Sequence, residues 1–519
     1  MAAGTVTIRV SQVEAVMNPS LALFFTSVVI FYLFKQDLKQ QSNVSHALWI
    51  PWLWMLLLGS RYVSQWLNLG DPAQVSVNSI EDGSPIDRIV FFLLLAAAVY
   101  ILRKRRISWS LLFQNNIALT LFLGYCAVSI LWSDFPLIAF KRWIKILGHP
   151  LMALLLFTEH DPVKAVETSI KRCAYVLVPL SILFIKYYPN IGRGYDRWTY
   201  QPILVGVTDN KNTLGYICMV FALFFACKLL EMFGKSSEPG KMMEKIVTIC
   251  FFSMTVWLLQ IAHSGTSFVC FIIGIFIIII LKFPSVKKHL GFCICISIFA
   301  FLILQLTFNI TENIILNLGK DLTLTGRNEV WTDVLEMKTD PLIGTGFESF
   351  WLGKRLEAMW EKHWWQPNQA HNGYIETYIN LGFLGLFFLC GIILSSFRNI
   401  RRILILPKDL PCSKLHGILN GKERSKSRGV ITSETELAKK EIHGFDFIGF
   451  RIGYLLAFMI YNLTEAAFKG LHLLFFIFFV ITIEYAHVKS DIVVSNTESL
   501  PKNTRKPYNI PRKLDKSLK

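Results

Sequence analysis

Charged residues are scarce in this sequence. Only 17% of its 519 residues are Asp, Glu, Lys or Arg, whereas 53% are hydrophobic. Soluble domains usually carry about 25% charged residues. The composition therefore excludes an ordinary soluble protein and predicts that most of the chain lies in lipid.

Motifs for nucleotides and metals are also missing. The sequence has no Walker-type phosphate loop, no nucleotide-binding glycine fingerprint, and no paired acidic motif that would hold a metal with a nucleotide-sugar. The ten Cys show no metal-ligand spacing and lie mostly in apolar stretches, where we expect them to pack as small apolar side chains. We therefore predict no cofactor and no bound metal, so the energy for any reaction must arrive in the substrate.

A cleavable signal peptide is not evident either. Residues 1–18 lack a basic region followed by an apolar core and a small-residue cleavage site. We expect the first apolar span to remain as an anchor.

The net charge is +17. The basic residues are concentrated in alternate short loops rather than on one folded face, which indicates membrane topology and not a nucleic-acid partner.

Long apolar stretches dominate what is present. Many have about 17 to 25 residues, which is enough to cross a hydrocarbon core of about 30 Å as a helix. Thirteen candidates lie near 19–35, 46–66, 86–102, 111–132, 142–158, 173–188, 213–233, 245–262, 266–282, 289–308, 373–397, 447–464 and 470–487. The sequence predicts an all-α polytopic membrane protein with about 12–13 transmembrane helices and one large folded periplasmic loop.

The basic loops predict the orientation. Four basic residues at 103–106 follow the third span, and Lys282, Lys287 and Lys288 follow the ninth, so both loops should be cytoplasmic. Alternation then places 309–372 outside. With thirteen spans the N-terminus is outside as well, and with twelve both ends are inside.

The same pattern divides the chain into segments. We predict a membrane domain of ten spans, a periplasmic loop that carries active-site residues, a single helix, a basic cytoplasmic linker, two last helices and a basic cytoplasmic tail. Their boundaries are 1–308, 309–372, 373–397, 398–446, 447–487 and 488–519. The outward loop holds five Trp and a helix-like stretch from Asn328 to Met337, so we expect it to fold against the membrane domain.

Three short motifs mark this loop. They are Thr325-Gly326-Arg327-Asn328-Glu329-Val330-Trp331, Asp340-Pro341-Leu342-Ile343-Gly344-Thr345-Gly346-Phe347 and Ala370-His371-Asn372-Gly373-Tyr374. The guanidinium of Arg327 matches phosphate oxygens, and the glycines allow close backbone approach, which suggests an anion site. His371 is a candidate general base. The alternative is that Arg327 forms a salt bridge within the loop and that His371 only marks the membrane interface.

Other outward-facing residues are substrate-binding candidates. They are Arg142, Lys145, Arg193, Lys211, Asn212, Asn372, Trp364 and Trp365. The cations suit a diphosphate at the membrane surface, and the indole rings suit a glycan. Contact with lipid headgroups and interfacial anchoring are the alternatives.

The order of these motifs resembles the O-antigen ligase and O-antigen polymerase superfamily. The likeness extends upstream to Trp132-Ser133-Asp134-Phe135-Pro136 and Asp209-Asn210-Lys211-Asn212, so it covers roughly residues 45–390. The exopolysaccharide polymerase branch is the most similar. One departure is Thr266, because many members carry a basic residue near that point; this counts against a ligase.

The resemblance implies a metal-independent, inverting glycosyltransferase in the bacterial inner membrane. An undecaprenyl-diphosphate-linked oligosaccharide would be the donor and a glycan the acceptor. His371 would take a proton from the acceptor hydroxyl, while Arg327, helped by Arg142 or Lys211, would bear the charge of the leaving diphosphate. The product would be an extended exopolysaccharide or O-antigen chain.

Three alternatives remain at this point. An O-antigen ligase would transfer the glycan to lipid A-core with the same donor chemistry. A lipid-linked glycan transporter would use buried ionisable groups and related halves, yet no internal repeat is visible. A scaffold would bind other polysaccharide export proteins or membrane lipid through its basic segments.

Overall fold

A computed structural model describes residues 17–40, 44–67, 83–105, 107–233, 242–308, 326–405 and 446–485. The predicted tail 488–519, Thr325 and most of the predicted linker 398–446 lie outside these described residues. So do residues 1–16, which include most of the region judged for a signal peptide.

The described residues form helices and one short antiparallel hairpin. The helices up to the hairpin are α1 Pro19–Gln40, α2 Trp49–Leu58, α3 Val63–Trp66, α4 Pro85–Lys104, α5 Trp109–Asn115, α6 Ile117–Val128, α7 Pro136–Ile146, α8 Gly148–Phe157, α9 Pro162–Tyr187 and α10 Pro189–Gly192. The hairpin strands are β1 Arg193–Tyr195 and β2 Pro202–Leu204, with Gly194 opposite Ile203. The later helices are α11 Lys211–Phe233, α12 Met242–Ile261, α13 Gly265–Ile280, α14 Pro284–Lys288, α15 Leu290–Phe308, α16 Arg327–Glu336, α17 Gly353–Lys362, α18 Gly373–Ile405, α19 Phe447–Tyr461 and α20 Leu473–Thr482.

The prediction of an all-α polytopic membrane protein is confirmed. Among the described residues, six helices are long and apolar enough to cross a membrane, or seven if the pair bent by 94° at Asn116 counts as one span. Four shorter apolar helices of 10–17 residues accompany them. Each of the thirteen predicted stretches contains at least one helix, although several of these are too short to cross a membrane alone.

The helix predicted at 173–188 begins much earlier, at Pro162. Asp161 caps it by accepting a hydrogen bond from the Lys164 amide at 3.2 Å. Charged residues lower the hydropathy of this part of the helix, so the sequence pattern did not predict it. Two of them are paired: Lys171 and Arg172 contact the Asp37 carboxylate at 2.5 Å and 2.7 Å. Pairing lets the helix continue with its charges buried.

Burial separates central helices from lipid-facing ones. The apolar windows of α9 and α11 are 72% and 83% buried, whereas that of α1 is 17% buried. Phe24 and Phe92, on α1 and α4, are 64% and 67% exposed, as expected of side chains that face lipid. The core therefore lies along α9, α11, α19 and α20.

Helix α18 is broken at Gly382, whose φ is +64°. The backbone amides of Phe383 and Leu384 donate to the carbonyls of Pro341 and Leu342 at 2.9 Å and 3.1 Å. A Cβ on Gly344 would lie 2.4 Å from the Asn380 carbonyl carbon, so glycine is required for this approach. The turn 340–346 thus supplies the hydrogen bonds that the broken helix lacks.

The upstream motif at 132–136 contacts the same turn. The Trp132 indole donates to the Ile343 carbonyl at 3.3 Å, and the hydroxyls of Ser133 and Ser349 lie 2.6 Å apart. Neither Gly344 nor Gly346 lines the large cavity described below. These two glycines approach backbone and side-chain atoms of the protein itself, so the structure gives them a role in packing, and the anion site suggested for their motif stays a prediction.

The outward loop has its own small core. Val330, Val334, Phe350, Leu356 and Met359 are buried against the start of α18. The helix predicted at Asn328–Met337 is present as α16.

Three of the loop's five Trp hold it in place through indole hydrogen bonds. Trp331 donates to the Ala370 carbonyl at 2.7 Å, Trp351 to the Glu376 carboxylate at 2.8 Å and Trp360 to the Pro367 carbonyl at 3.0 Å. The other two Trp line the large cavity described below.

Candidate functional site

A cavity of about 2530 Å³ lies between the β1–β2 hairpin, the outward loop and the connection from α19 to α20. We call it the large cavity. One end is polar and contains Arg327, His371, Glu465, Lys211 and Lys469. The other end is apolar and is lined by α13, α15 and α19 through Val269, Ile273, Phe276, Ile277, Ile280, Leu290, Ile294, Leu456, Met459 and Ile460. The cavity therefore suits a molecule with a charged head and a long apolar chain.

Glu465 contacts three side chains at the polar end. Its Oε1 lies 2.7 Å from the Arg327 guanidinium and accepts from the Asn212 amide at 3.1 Å, while its Oε2 lies 3.3 Å from Nδ1 of His371. Burial by itself would raise the pKa of Glu465, but the Arg327 charge and the His371 contact lower it to about 2. Glu465 is therefore ionised at neutral pH.

Arg327 is the first residue of α16, after Gly326 in a left-handed conformation with φ of +79°. Besides its ion pair with Glu465, its guanidinium donates to the Thr464 carbonyl. A salt bridge, one of the two sequence-based alternatives, is thus present, and it reaches beyond the loop to the α19–α20 connection. This pairing compensates much of the Arg327 charge.

His371 has a left-handed backbone, with φ of +50°, which non-glycine residues rarely adopt. The preceding residue is fixed because the Ala370 amide donates to the buried Glu376 carboxylate at 2.8 Å. The strained backbone and its buried support position the imidazole at the cavity wall.

The Glu465 contact also determines the tautomer of His371. An ionised carboxylate only accepts hydrogen bonds, so the proton resides on Nδ1 and Nε2 keeps its lone pair. Burial lowers the pKa of His371 below 6.5, the charges of Arg327 and Lys469 lower it further, and Glu465 opposes them. His371 is therefore a neutral imidazole at pH 7 and can accept a proton at Nε2.

The start of α11 also lines the large cavity. The Asn210 side chain caps the helix by accepting from the Thr213 amide at 2.8 Å. Lys211 lines the cavity, and its ammonium lies 2.5 Å from the Asp196 carboxylate, next to the hairpin. Burial would raise the pKa of Asp196, but the hydrogen bond from Lys211 outweighs it and brings that pKa to about 2.

Aromatic rings form the rim of the large cavity. The ring of Trp198, in the hairpin, lies 4.9 Å from that of Trp364 and 6.0 Å from that of Trp365. The Trp365 ring is 5.9 Å from the His371 imidazole, and Trp364 is 64% exposed. The two predicted Trp are therefore available for contact with a ligand beside the candidate base.

Four predicted site residues lie elsewhere. Arg142 lines a separate cavity of about 230 Å³, the small cavity, and donates to the Glu348 carbonyl. Lys145 lines neither cavity, and the Arg193 guanidinium donates to the Ile185 carbonyl at 2.9 Å. Asn372 caps α18 and donates to the Leu463 carbonyl at 3.0 Å. The charge pattern placed Arg142 and Lys145 on the outward side of the membrane, but it does not show which cavity their side chains line.

Sequence reasoning missed Glu465 and Lys469. Both lie in the polar interruption Asn462-Leu463-Thr464-Glu465 and its continuation to Lys469 and Gly470, between two apolar runs. That interruption was the available signal. Within the described ranges, no group of three or more His, Cys, Asp or Glu side chains is arranged to hold a metal ion.

Comparison with known proteins gives two findings. A family model described as O-Antigen ligase matches residues 249–390. The exopolysaccharide production protein ExoQ of Rhizobium meliloti (strain 1021) is 26% identical over 309 residues, which cover 57% of this chain and 67% of that relative. The resemblance to the O-antigen ligase and polymerase superfamily is confirmed. The matches lie near the exopolysaccharide branch of that superfamily, and together with the apolar helices they indicate a multi-pass bacterial membrane protein.

The region matched by the superfamily model contains Arg327 and His371 but ends before Glu465 and Lys469. In the structure these four residues line one cavity. The matched region therefore contributes only part of the polar end.

Proposed function

We propose that this chain is a glycosyltransferase that joins glycan units at the periplasmic face of the inner membrane, using an undecaprenyl-diphosphate-linked saccharide as donor. The observation that supports it best is the His371–Glu465–Arg327 arrangement at the polar end of a cavity whose other end is apolar. The outward loop 309–372 is the proposed periplasmic segment.

The apolar end suits the prenyl chain of such a donor. Its walls carry branched and aromatic side chains from α13, α15 and α19. Phe276 is 60% exposed, so this side remains open to lipid. A polyprenyl chain would lie along these helices while its diphosphate stays at the polar end.

The proposed reaction is a single displacement. Nε2 of His371 takes the proton of an acceptor hydroxyl, and the acceptor oxygen bonds to the anomeric carbon. The bond from that carbon to the diphosphate oxygen breaks, and the electron pair leaves with the diphosphate. Attack opposite the leaving group inverts the anomeric configuration, and the positive side chains of the polar end stabilise the departing charge. His371, Glu465 and Arg327 supply these functions without metal or nucleotide.

The pairing seen in the structure assigns Arg327 and Glu465 further roles in this proposal. Arg327 keeps Glu465 ionised, and Glu465 keeps the proton of His371 on Nδ1. Asn212 contributes through its hydrogen bond to Glu465. Lys211 and the rim residues Trp364 and Trp365 are proposed to contact the saccharide donor.

Polymerisation of an exopolysaccharide or O-antigen chain is the favoured outcome. The name of the relative, an exopolysaccharide production protein, supports it. A ligase that uses lipid A-core as acceptor is the second candidate, because the matching family model carries that description. Both share the donor and differ only in the acceptor; other polysaccharide assembly proteins are proposed partners.

A reconstituted reaction distinguishes the candidates. Purified protein in detergent is mixed with a synthetic undecaprenyl-diphosphate oligosaccharide and EDTA, and products are scored by mass spectrometry. A ladder of whole repeat units supports a polymerase. A single transfer that requires added lipid A-core supports a ligase, and no product under either condition contradicts glycosyl transfer.

A further inference from the structure

Lys469 lies in the connection between α19 and α20 and lines both the large and the small cavity. Its ammonium donates to the side-chain carbonyl of Gln369. Among the described residues, no carboxylate oxygen lies within 4.0 Å of this ammonium, although Glu376 and Glu348 line the same small cavity. Lys469 is half-buried, so its charge is only partly screened by solvent.

Three other cations of the large cavity are paired with carboxylates. Arg327 is paired with Glu465, Lys211 with Asp196 and Lys362 with Asp333. Arg197, at the exposed rim, donates to the Trp365 carbonyl at 3.3 Å. Lys469 is thus a cation inside the cavity whose partner is a neutral amide, which an anion would readily replace.

The backbone next to Lys469 is held from two sides. The Gly470 amide donates to the Glu348 carboxylate at 2.5 Å, and the Gly470 carbonyl lies 2.6 Å from Nε2 of the buried His149. Glu348 itself has a left-handed backbone with φ of +48°. The Glu348 carboxylate therefore binds the peptide group beside the lysine, and the ammonium donates to Gln369.

The side-chain amide of Gln369 lies between Lys469 and the candidate base. Gln369 accepts from Lys469 through its oxygen, and its nitrogen lies 3.4 Å from Nδ1 of His371. An anion on Lys469 would thus lie beside the imidazole that activates the acceptor. Arg327 is already paired with Glu465.

We propose that Lys469 binds a phosphate group of the lipid-linked diphosphate donor, exchanging Gln369 for a phosphate oxygen. This inference rests on the proposed function and assigns the leaving-group contact to a residue outside the segment that the family model matches. Arg327 then orders Glu465 and His371, and Lys469 stabilises the diphosphate that departs.

Binding of the leaving group tests the inference separately from catalysis. The probe is undecaprenyl diphosphate without sugar, added to the full-length protein in detergent, and the readout is quenching of tryptophan fluorescence. Lys469→Ala and Lys469→Gln should bind it about ten- to a hundredfold more weakly than the unmodified protein. Lys469→Arg should stay within a few-fold of it, and Lys362→Ala, which removes a paired lysine of the same cavity, should bind normally.

The outcomes separate the two proposals. If the unmodified protein binds the probe and both neutral Lys469 variants bind it equally well, the role of Lys469 is wrong while the proposed function stands. If the unmodified protein does not bind the probe at all, the donor assignment fails as well. Melting temperatures are compared alongside, and the Arg variant shows whether a positive charge restores binding in a folded chain.

A second readout is the pH profile of transfer. The Lys469 charge lowers the pKa of His371, so Lys469→Gln should move the acid limb of kcat/KM to higher pH. A purely structural role would lower activity without moving that limb.

Discussion

Nδ1 of His371 lies 3.3 Å from Oε2 of Glu465, although 94 residues separate them in the chain. The same carboxylate is paired with Arg327. Because Glu465 stays ionised, it fixes the proton of the imidazole on Nδ1. Nε2 then keeps a lone pair that can accept a proton. The expected effects of replacing His371 or Glu465, and the expected pH profile, depend on this contact.

Replacing His371 tests the base. His371→Ala should lower the rate of glycan transfer by about 10²- to 10⁴-fold, because general-base assistance is lost. Membrane insertion and the melting temperature should change little. Transfer is measured with the synthetic donor by mass spectrometry, and a variant with full activity would refute the assignment.

Trp351→Ala is the matched comparison for that experiment. Trp351 is 5% exposed and bonds the buried Glu376 carboxylate, so its loss should mainly destabilise the loop, by about 3 kcal/mol or more. Activity should fall in proportion to the folded fraction. A His371→Ala variant that melted as early as Trp351→Ala would indicate a structural role for the histidine.

Glu465→Gln removes the charge that orients His371. The amide can donate as well as accept, so the imidazole tautomer is no longer imposed, and kcat should fall by about 10²-fold or more. Glu465 raises the pKa of His371 against the effect of burial, so its neutralisation should move the acid limb of the pH profile to lower pH. Glu329 is another carboxylate that lines the same cavity, and Glu329→Gln should change neither kcat nor the position of the acid limb.

The unmodified enzyme should remain active on the acid side of pH 6.5. Burial lowers the pKa of His371, which means that the neutral, base-competent form persists below the ordinary value of 6.5. Activity should then decline as the pH falls through the lowered pKa, because the protonated imidazole cannot accept a proton. An acid limb of kcat/KM centred above 6.5 would contradict a buried neutral base.

Much of the helical architecture was predictable because the length of apolar runs is a local property. Each predicted stretch contains a helix, and the motif residues Arg327 and His371 line one cavity. The partners of these residues were not predictable. Glu465 lies in a short polar interruption between two apolar runs, and its pairing depends on how α19 and α20 pack beside the outward loop.

The misplaced cations have a similar explanation. Arg142 and Arg193 were assigned to the outward surface from topology alone. In the structure, their guanidinium groups donate hydrogen bonds to the backbone carbonyls of Glu348 and Ile185. Charge patterns along the chain do not show which backbone carbonyls lack a donor. Only the folded arrangement shows that Lys469, rather than Arg142, lines the cavity of His371.

The rim Trp should affect donor binding more than turnover. Trp364 is 64% exposed and packs edge to face against Trp198, so Trp364→Ala should leave the melting temperature unchanged. Loss of one aromatic contact, worth about 0.5–1.5 kcal/mol, should raise KM for the oligosaccharide donor by about two- to tenfold at constant kcat. Trp109→Ala, another exposed Trp outside the cavity lining, is the control. An equal change in both variants would argue for membrane anchoring alone.

The turn at Gly344 should tolerate no side chain. Its φ is +66°, and an added Cβ would lie 2.4 Å from the Asn380 carbonyl carbon, so Gly344→Ala must displace backbone that bridges the break in α18. We expect a loss of about 2 kcal/mol or more, measured as a lower melting temperature in detergent. Gly391→Ala is the control in the same helix, because its Cβ would meet only Ala118 at 3.9 Å. If both variants had the same melting temperature, the turn at 340–346 would not be the support of the broken helix. It would then also not support the His371 side of the cavity.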